Sequence, residues 1–187
     1  MPGASIELLS PSRLVRRYAP VLIPGAQGKP ILDVACGSGR NSFFLANLGC
    51  SIVCLDLTLD GIRSEQVRLS TTDLASSFER LRLVEIDLTK DLWPFSEGSV
   101  GGIVNVHFTL PALFPEFATS LIPGGYLLLE TVPGCGGNYL QLPKAKSLQS
   151  YLEPMFDFEF YRETRVGPKD TDAVTVQLLG RKRNQAL

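Results

Sequence analysis

One histidine, one tryptophan and two methionines stand in a chain of 187 residues, and its four cysteines form no C-x-x-C pair. With no ligand spacing of that kind, and with His107 remote in sequence from Cys36, Cys50, Cys54 and Cys135, no metal site is expected. No run approaches the roughly 18 apolar residues of a membrane span, so no membrane segment is expected either. The start, Met1-Pro2-Gly3-Ala4-Ser5, lacks the charged and apolar regions of a secretory signal. A cytoplasmic chain with reduced, mostly buried thiols is the expectation. A surplus of one charge sign is missing too. Lys+Arg number 18 against 19 Asp+Glu, a formal charge of -1, so the electrostatic footprint of a general nucleic-acid binder is absent and nucleic acid is not expected as a partner. Nothing in the pattern speaks for a particular oligomeric state.

What is present is a core. Hydrophobic residues make up 44% and charged residues 20%, the balance of one compact domain over 1–187. Residues 1–29 read as a helix and lead-in, with Leu14, Val15 and Tyr18 at helical spacing and Pro20, Pro24 and Gly25 ending it. Residues 30–182 read as the core. Pro30–Ala35 is a short buried strand running into a glycine turn. Arg40–Leu48 is a helix with Phe44, Leu45 and Leu48 on one face and Gly49 after its end. Ser51–Asp56 is a second strand, followed by a helix from an Asp60 cap to Leu69, and Arg82–Asp87 a third strand. Gly102–Val106 and Tyr126–Leu129 are the fourth and fifth, with a helix near 112–121 and Pro123-Gly124-Gly125 between them. Strands alternating with helices mean crossover connections and a parallel sheet. Two alternating segments, Phe156/Phe158/Phe160 and Val174/Val176/Leu178, then predict an antiparallel hairpin at one edge, the three phenylalanines lying in the core.

Ligands of an open parallel sheet bind outside the carboxyl ends of the strands, near the point where strand order reverses. Three successive strands finish near an acid: Asp33, Asp56 and Asp87. Between the first two lies Gly37-Ser38-Gly39, a turn that lets a ligand approach the backbone and a helix N-terminus. Each element alone also has a plain structural reading, a turn glycine or a capping aspartate; their joint order outlines a nucleoside pocket. A dinucleotide site wants G-x-G-x-x-G, whereas the third position here is Ser42. Asp33, before the glycines, would repel a pyrophosphate and attract an ammonium or sulfonium group.

The string Leu32-Asp33-Val34-Ala35-Cys36-Gly37-Ser38-Gly39-Arg40 resembles motif I of class I S-adenosylmethionine-dependent methyltransferases. The resemblance extends over about residues 30–180 through Cys54-Leu55-Asp56, Glu85-Ile86-Asp87-Leu88 and Leu121–Glu130. It is nearest the small bacterial tellurite-resistance-type branch, which shares a stretch like Gly137-Asn138-Tyr139-Leu140. The resemblance implies a doubly wound, Rossmann-like α/β fold with a seven-stranded sheet in the order 3-2-1-4-5-7-6, and S-adenosylmethionine as cofactor. It implies that Asp33 holds the methionine amino group, directly or through water. The backbone of Ala35, Cys36, Gly37 and Gly39, with Arg40, would run along the methionine and ribose. Asp56 would take the ribose hydroxyls, Leu57 would flank the adenine, and Asp87 with Leu88 would read its edge. Asn105 to His107 would line the methionine and the acceptor. Two positions depart from the family: Ala35 replaces a usual glycine, and Val100-Gly101 replaces a usual Phe-Asp.

Methyl transfer needs an aligned nucleophile and, for many acceptors, a base. His107 is the first candidate for a catalytic part, with Glu130 and Tyr139 behind it; each also has a packing role open to it. Arg13, Arg16 and Arg17 could steer an anionic substrate, although a solvated helix face accounts for them as well. A chain this short leaves little room for a macromolecule-recognition module, so a small-molecule methyl acceptor is expected. A protein or RNA acceptor, a non-catalytic cofactor-binding module and a nicotinamide-dependent oxidoreductase are the rival readings.

Overall fold

The computed structural model describes residues 10–131, 142–168 and 171–183. Its centre is a seven-stranded sheet in the order β3-β2-β1-β4-β5-β7-β6. The strands are β1 (Ile31–Val34), β2 (Ile52–Asp56), β3 (Leu81–Glu85), β4 (Val100–Val106), β5 (Leu121–Glu130), β6 (Phe156–Arg165) and β7 (Val174–Lys182). The first five run parallel and β7 lies antiparallel between β5 and β6, the order implied by the resemblance. Helices α1 (Arg13–Gly25), α2 (Arg40–Asn47) and α3 (Asp60–Leu69) cover one face. Helices α4 (Phe114–Ser120) and α5 (Ser147–Leu152) cover the other. The order reverses between β1 and β4, which puts the crevice over the ends of these two strands. No helix among the described residues is long and apolar enough to cross a membrane.

Four local expectations are corrected by packing. Helix α1 ends at Gly25 as expected, but neither Pro20 nor Pro24 stops it: both lie inside the helix. An interior proline costs about 3 kcal/mol, and the burial of Leu14, Val15, Ala19 and Leu22 against the sheet offsets it. Helix α2 buries Phe43, Leu45 and Ala46 together with Asn41 and Ser42, while Phe44 is half-buried and Leu48 is 49% exposed. Its inner face is therefore partly polar, which an apolar-periodicity reading misses. Gly49 does close it, at φ 93°, donating to Ala46 at 2.9 Å while Cys50 N–H reaches Leu45 at 3.2 Å, a Schellman ending. Strand β5 starts at Leu121, not Tyr126: Val100 pairs Leu121 and Gly102 pairs Tyr126, with a register break between, so the Pro-Gly-Gly stretch is an irregularity inside the strand.

The fourth correction concerns the aromatic stripe. Phe158 pairs Gly180 while Phe160 pairs Leu179, so Glu159 is an extra residue and the alternation resets. Phe156 and Phe158 join the α4/α5 side, and Phe160 turns to the other face against Tyr18, ring centroids 5.4 Å apart. The Val100-Gly101 departure also has a physical cause. A Cβ on Gly101 would sit 2.2 Å from the Ala26 carbonyl oxygen; the glycine lets the end of α1 lie directly on β4.

Candidate functional site

The chain leaves β1 through a tightly wound turn in which Ala35, Gly37 and Gly39 all have positive φ, at 55°, 57° and 79°. Cys36 N–H donates to Leu55 O at 3.0 Å and Gly39 N–H to Cys36 O at 2.9 Å, which ties the turn to the end of β2. A Cβ on Gly39 would meet Ile62 at 2.7 Å, whereas the space beside Gly37 is open. Asp56, the last residue of β2, accepts Gly37 N–H at 2.7 Å on Oδ2 and Thr58 N–H at 3.3 Å on Oδ1. An ionised carboxylate has about four lone-pair sites, so Asp56 keeps acceptor capacity for hydroxyls. Next to it Leu57 is 62% exposed, an apolar surface at the rim of the turn.

Asp33 sits deeper, 1% exposed on β1. Ser42 Oγ–H donates to its Oδ2 at 2.6 Å, and the Cys54 thiol donates to Ser42 Oγ at 3.2 Å. Burial pushes the Asp33 carboxyl up to about 6, against the lowering effect of Ser42 and of the Arg40 charge. The charge at this position thus titrates near neutrality and is not a fixed one. Ser42, read from sequence only as a missing glycine, is the residue that sets the Asp33 orientation. Its signal was a serine two residues into a helix that starts after an acid-bearing strand. Cys36 is buried and its thiol is raised by hydrogen bonding with Cys54 and then by burial, so it is unreactive.

Asp87 lies two residues past β3 and closes its own turn. Its Oδ1 accepts Thr89 N–H at 3.0 Å and Thr89 Oγ1–H at 2.5 Å, and its Oδ2 accepts from Lys90 at 2.7 Å. Hydrogen bonds from Lys90 and Thr89 hold its carboxyl down to about 2. Leu88 beside it is buried in the α4/α5-side core.

The end of β4 is built differently. Asn105 is 1% exposed, and neither its amide nitrogen nor its amide oxygen has a hydrogen-bond partner. Desolvating such groups costs about 1–3 kcal/mol, so each calls for a physical account, as does Trp93 Nε1, which is unpaired in the same way. His107 follows in the left-handed region at φ 69°, held there by its N–H to Glu130 O at 2.8 Å. Arg40 Nη2 lies 3.4 Å from His107 Nε2. A guanidinium can only donate, so Nε2 accepts, and the neutral imidazole carries its proton on Nδ1. Burial and then Arg40 lower the His107 pKa, opposed by Glu130.

Glu130 is engaged on both oxygens, by Ser12 Oγ–H at 2.5 Å and by Gln177 Nε2–H at 2.7 Å. Ser12 also caps α1 through Leu14 N–H at 3.0 Å and donates its own N–H to Asn41 Oδ1 at 2.9 Å. Glu130 therefore fastens the lead-in to β5 and β7, a contact between residues 118 apart that no local pattern announces. Tyr139, with Gly137, Asn138 and Leu140, lies outside the described residues. Among the described residues no group of His, Cys, Asp and Glu could hold a metal ion.

Comparison with known proteins gives three findings. The family model described as a methyltransferase domain matches residues 31–125, just over half of the chain. The ubiquinone biosynthesis O-methyltransferase of Xanthomonas campestris pv. campestris is 29% identical over 136 residues, 70% of this chain and 53% of the relative; the chain thus spans about half the length of the curated relatives it matches. Among solved structures, the Burkholderia thailandensis 1,6-didemethyltoxoflavin-N1-methyltransferase with bound 1,6-didemethyltoxoflavin and S-adenosylhomocysteine has a TM-score of 0.60 at 16% identity. That likeness covers 92% of this chain and 79% of that one. TehB from Haemophilus influenzae has a TM-score of 0.60 at 17% identity, over 91% and 61% of the two chains. Likenesses at this identity speak for the fold.

Proposed function

From the premise that the chain belongs to the methyltransferase-domain family, we propose that it transfers a methyl group from S-adenosylmethionine to a small-molecule acceptor. The carrying observation is the Asp56–Gly37 contact at 2.7 Å, which joins an acid with spare lone pairs to an open glycine turn at the switch point of the sheet. The donor set fits the cofactor. Asp56 suits a vicinal diol, exposed Leu57 a purine face, buried Asp33 an ammonium, and the orphaned Asn105 amide an unmatched polar group.

When bound, S-adenosylmethionine supplies a methyl group made electrophilic by its sulfonium. The chain's own part is to orient and to move a proton. His107, neutral and strained at the exit of β4, is the group we assign as base toward an acceptor hydroxyl or amine, taking the proton on Nε2 in exchange for that atom's contact with Arg40. Glu130 enters as a positioning residue, because its carbonyl fixes the His107 backbone and both its carboxylate oxygens are occupied. The finer kinship, with the branch of TehB, rests on the Gly137-Asn138-Tyr139-Leu140 stretch, with the fold of TehB alike over 91% of this chain. The small-molecule acceptor is supported by relatives whose names specify ubiquinone biosynthesis and toxoflavin.

Calorimetry with S-adenosylhomocysteine tests the reading. Binding is expected, and Asp56→Ala should weaken it by roughly 2 to 4 kcal/mol, since hydrogen bonds to charged groups contribute about 1.5–3 kcal/mol each and do not sum fully. Absence of binding by the unmodified chain, or unchanged affinity in the variant, overturns it.

A further inference from the structure

Between the lead-in to α1, the outer side of α2 and the 3-10 helix Asp73–Arg80 lies a cavity of about 220 Å³. Its walls are apolar, from Pro11, Phe43, Phe44 and Leu74, and two guanidinium-bearing side chains, Arg16 and Arg40, line it; no acid does. Among the described residues neither arginine makes an ion pair. The Pro11 wall is fixed by its neighbour Ser12, which bonds both to Asn41 on α2 and to Glu130 on β5. Arg40 also reaches His107 at 3.4 Å, so the charged wall continues to the exit of β4.

Two guanidiniums without an ion pair among the described residues, one of them shared with His107, beside an apolar hollow on a chain whose net charge is -1, are a local and not a global basic feature. Each guanidinium is a planar fork suited to a carboxylate. The aromatic and aliphatic walls would go unused by a bare inorganic anion, and a neutral aromatic would leave both charges uncompensated. Of the three basic residues on α1, Arg17 is spent on the rings of Tyr18 and Phe160 at 5.1 and 5.3 Å and Arg13 does not line the cavity, which leaves Arg16 for a ligand.

We propose that this cavity anchors the methyl acceptor, and that the acceptor is a small organic anion with a flat apolar body, of the aromatic carboxylate class. The proposal rests on the methyltransferase reading only for the word acceptor; the cavity's preference for such an anion stands apart from it.

The test is calorimetric titration of the full chain, alone and saturated with S-adenosylhomocysteine, with 2-naphthoate and with its neutral counterpart 2-naphthamide. The acid is expected to bind at least about tenfold more tightly than the amide, as charge-assisted hydrogen bonds to guanidinium require. Arg16→Gln should abolish that preference and leave S-adenosylhomocysteine affinity unchanged, Arg16→Lys should restore part of it, and Phe44→Ala should weaken both probes alike. Equal binding of acid and amide, binding of neither, or a preference that survives Arg16→Gln overturns the site. The acid should also slow methyl transfer from labelled S-adenosylmethionine to acceptors in cell extract, and should do so less in Arg16→Gln. Binding of the acid without slowing removes the acceptor assignment. Failure of S-adenosylhomocysteine to bind while the acid still prefers the cavity would sink the cofactor reading alone.

Discussion

Two corners of the same crevice are built on opposite plans. At the end of β1 and β2 the polar groups face one another: Gly37 N–H meets Asp56, and Ser42 meets Asp33 between Cys54 and the strand. At the end of β4 and β5 they do not. Asn105 is buried and unmatched, His107 is strained, and the acid Glu130 is bonded to Ser12 of the lead-in and to Gln177 of β7. The first corner is complete before any ligand arrives, which suits a ligand that is always the same. The second holds its cost in unpaired groups and backbone strain, a reserve that a bound molecule can relieve.

The largest expected effect separates the corners by chemistry. His107→Asn keeps a residue that tolerates the left-handed region and removes the imidazole. Turnover should fall about 10²- to 10⁴-fold, the usual share of a general base, while S-adenosylhomocysteine affinity stays unchanged. The lowered His107 pKa adds a signature: the imidazole stays neutral further into acid than an ordinary histidine, so the midpoint of the acid fall in turnover should lie below pH 6.5. Equal rates for the variant and the parent would return His107 to a packing role and remove the contrast between the corners.

The second effect lies in the completed corner and is read in stability. The folded Asp33 carboxyl is raised from 3.8 to about 6, so the folded state holds a proton there that the unfolded chain has already lost. The group therefore favours folding most below about pH 4 and loses that contribution as pH rises through about 6, a swing of about 3 kcal/mol. Asp33→Asn retains an oxygen acceptor for Ser42 and does not titrate. Denaturant unfolding from pH 4 to pH 7.5 should show the parent losing about 2.5 kcal/mol relative to the variant; parallel curves would mean that Asp33 is not held in this buried bond.

The two corners also differ in how far the sequence discloses them. Strand positions and the glycine turn follow from short-range pattern, and the Asp56–Gly37 pairing spans only 19 residues within one strand–helix–strand unit. The sheet order came from the resemblance, since period alone does not tell which strands are neighbours. What stayed hidden is non-local or depends on exceptions to period. The Ser12–Glu130 bond crosses most of the chain, and the engagement of Glu130 by the lead-in cannot be read from a strand-ending acid. The bulge at Glu159 sends Phe160 to the opposite face from Phe156, where strict alternation would leave them together. Helix α1 passes Pro20 because tertiary burial outweighs propensity.

The smallest effect tests whether strain at the two corners has the same meaning. Ala35 and His107 are both non-glycine residues in the left-handed region, at φ 55° and 69°, and each carries a penalty of about 1–2 kcal/mol for its Cβ. At His107 the penalty accompanies an imidazole that the proposed chemistry uses. At Ala35 the side chain is one methyl group, and the turn engages its partners through the backbone around it. Ala35→Gly should therefore relieve the strain, lose part of the gain to the greater freedom of glycine in the unfolded chain, and net about 0.5 to 1 kcal/mol of stability. That corresponds to a Tm rise of about 2 °C for a domain of this size, with S-adenosylhomocysteine affinity unaltered. A fall in Tm would mean that the Ala35 methyl packs usefully, and the strain there would then be balanced by contact, as it is at His107 by function.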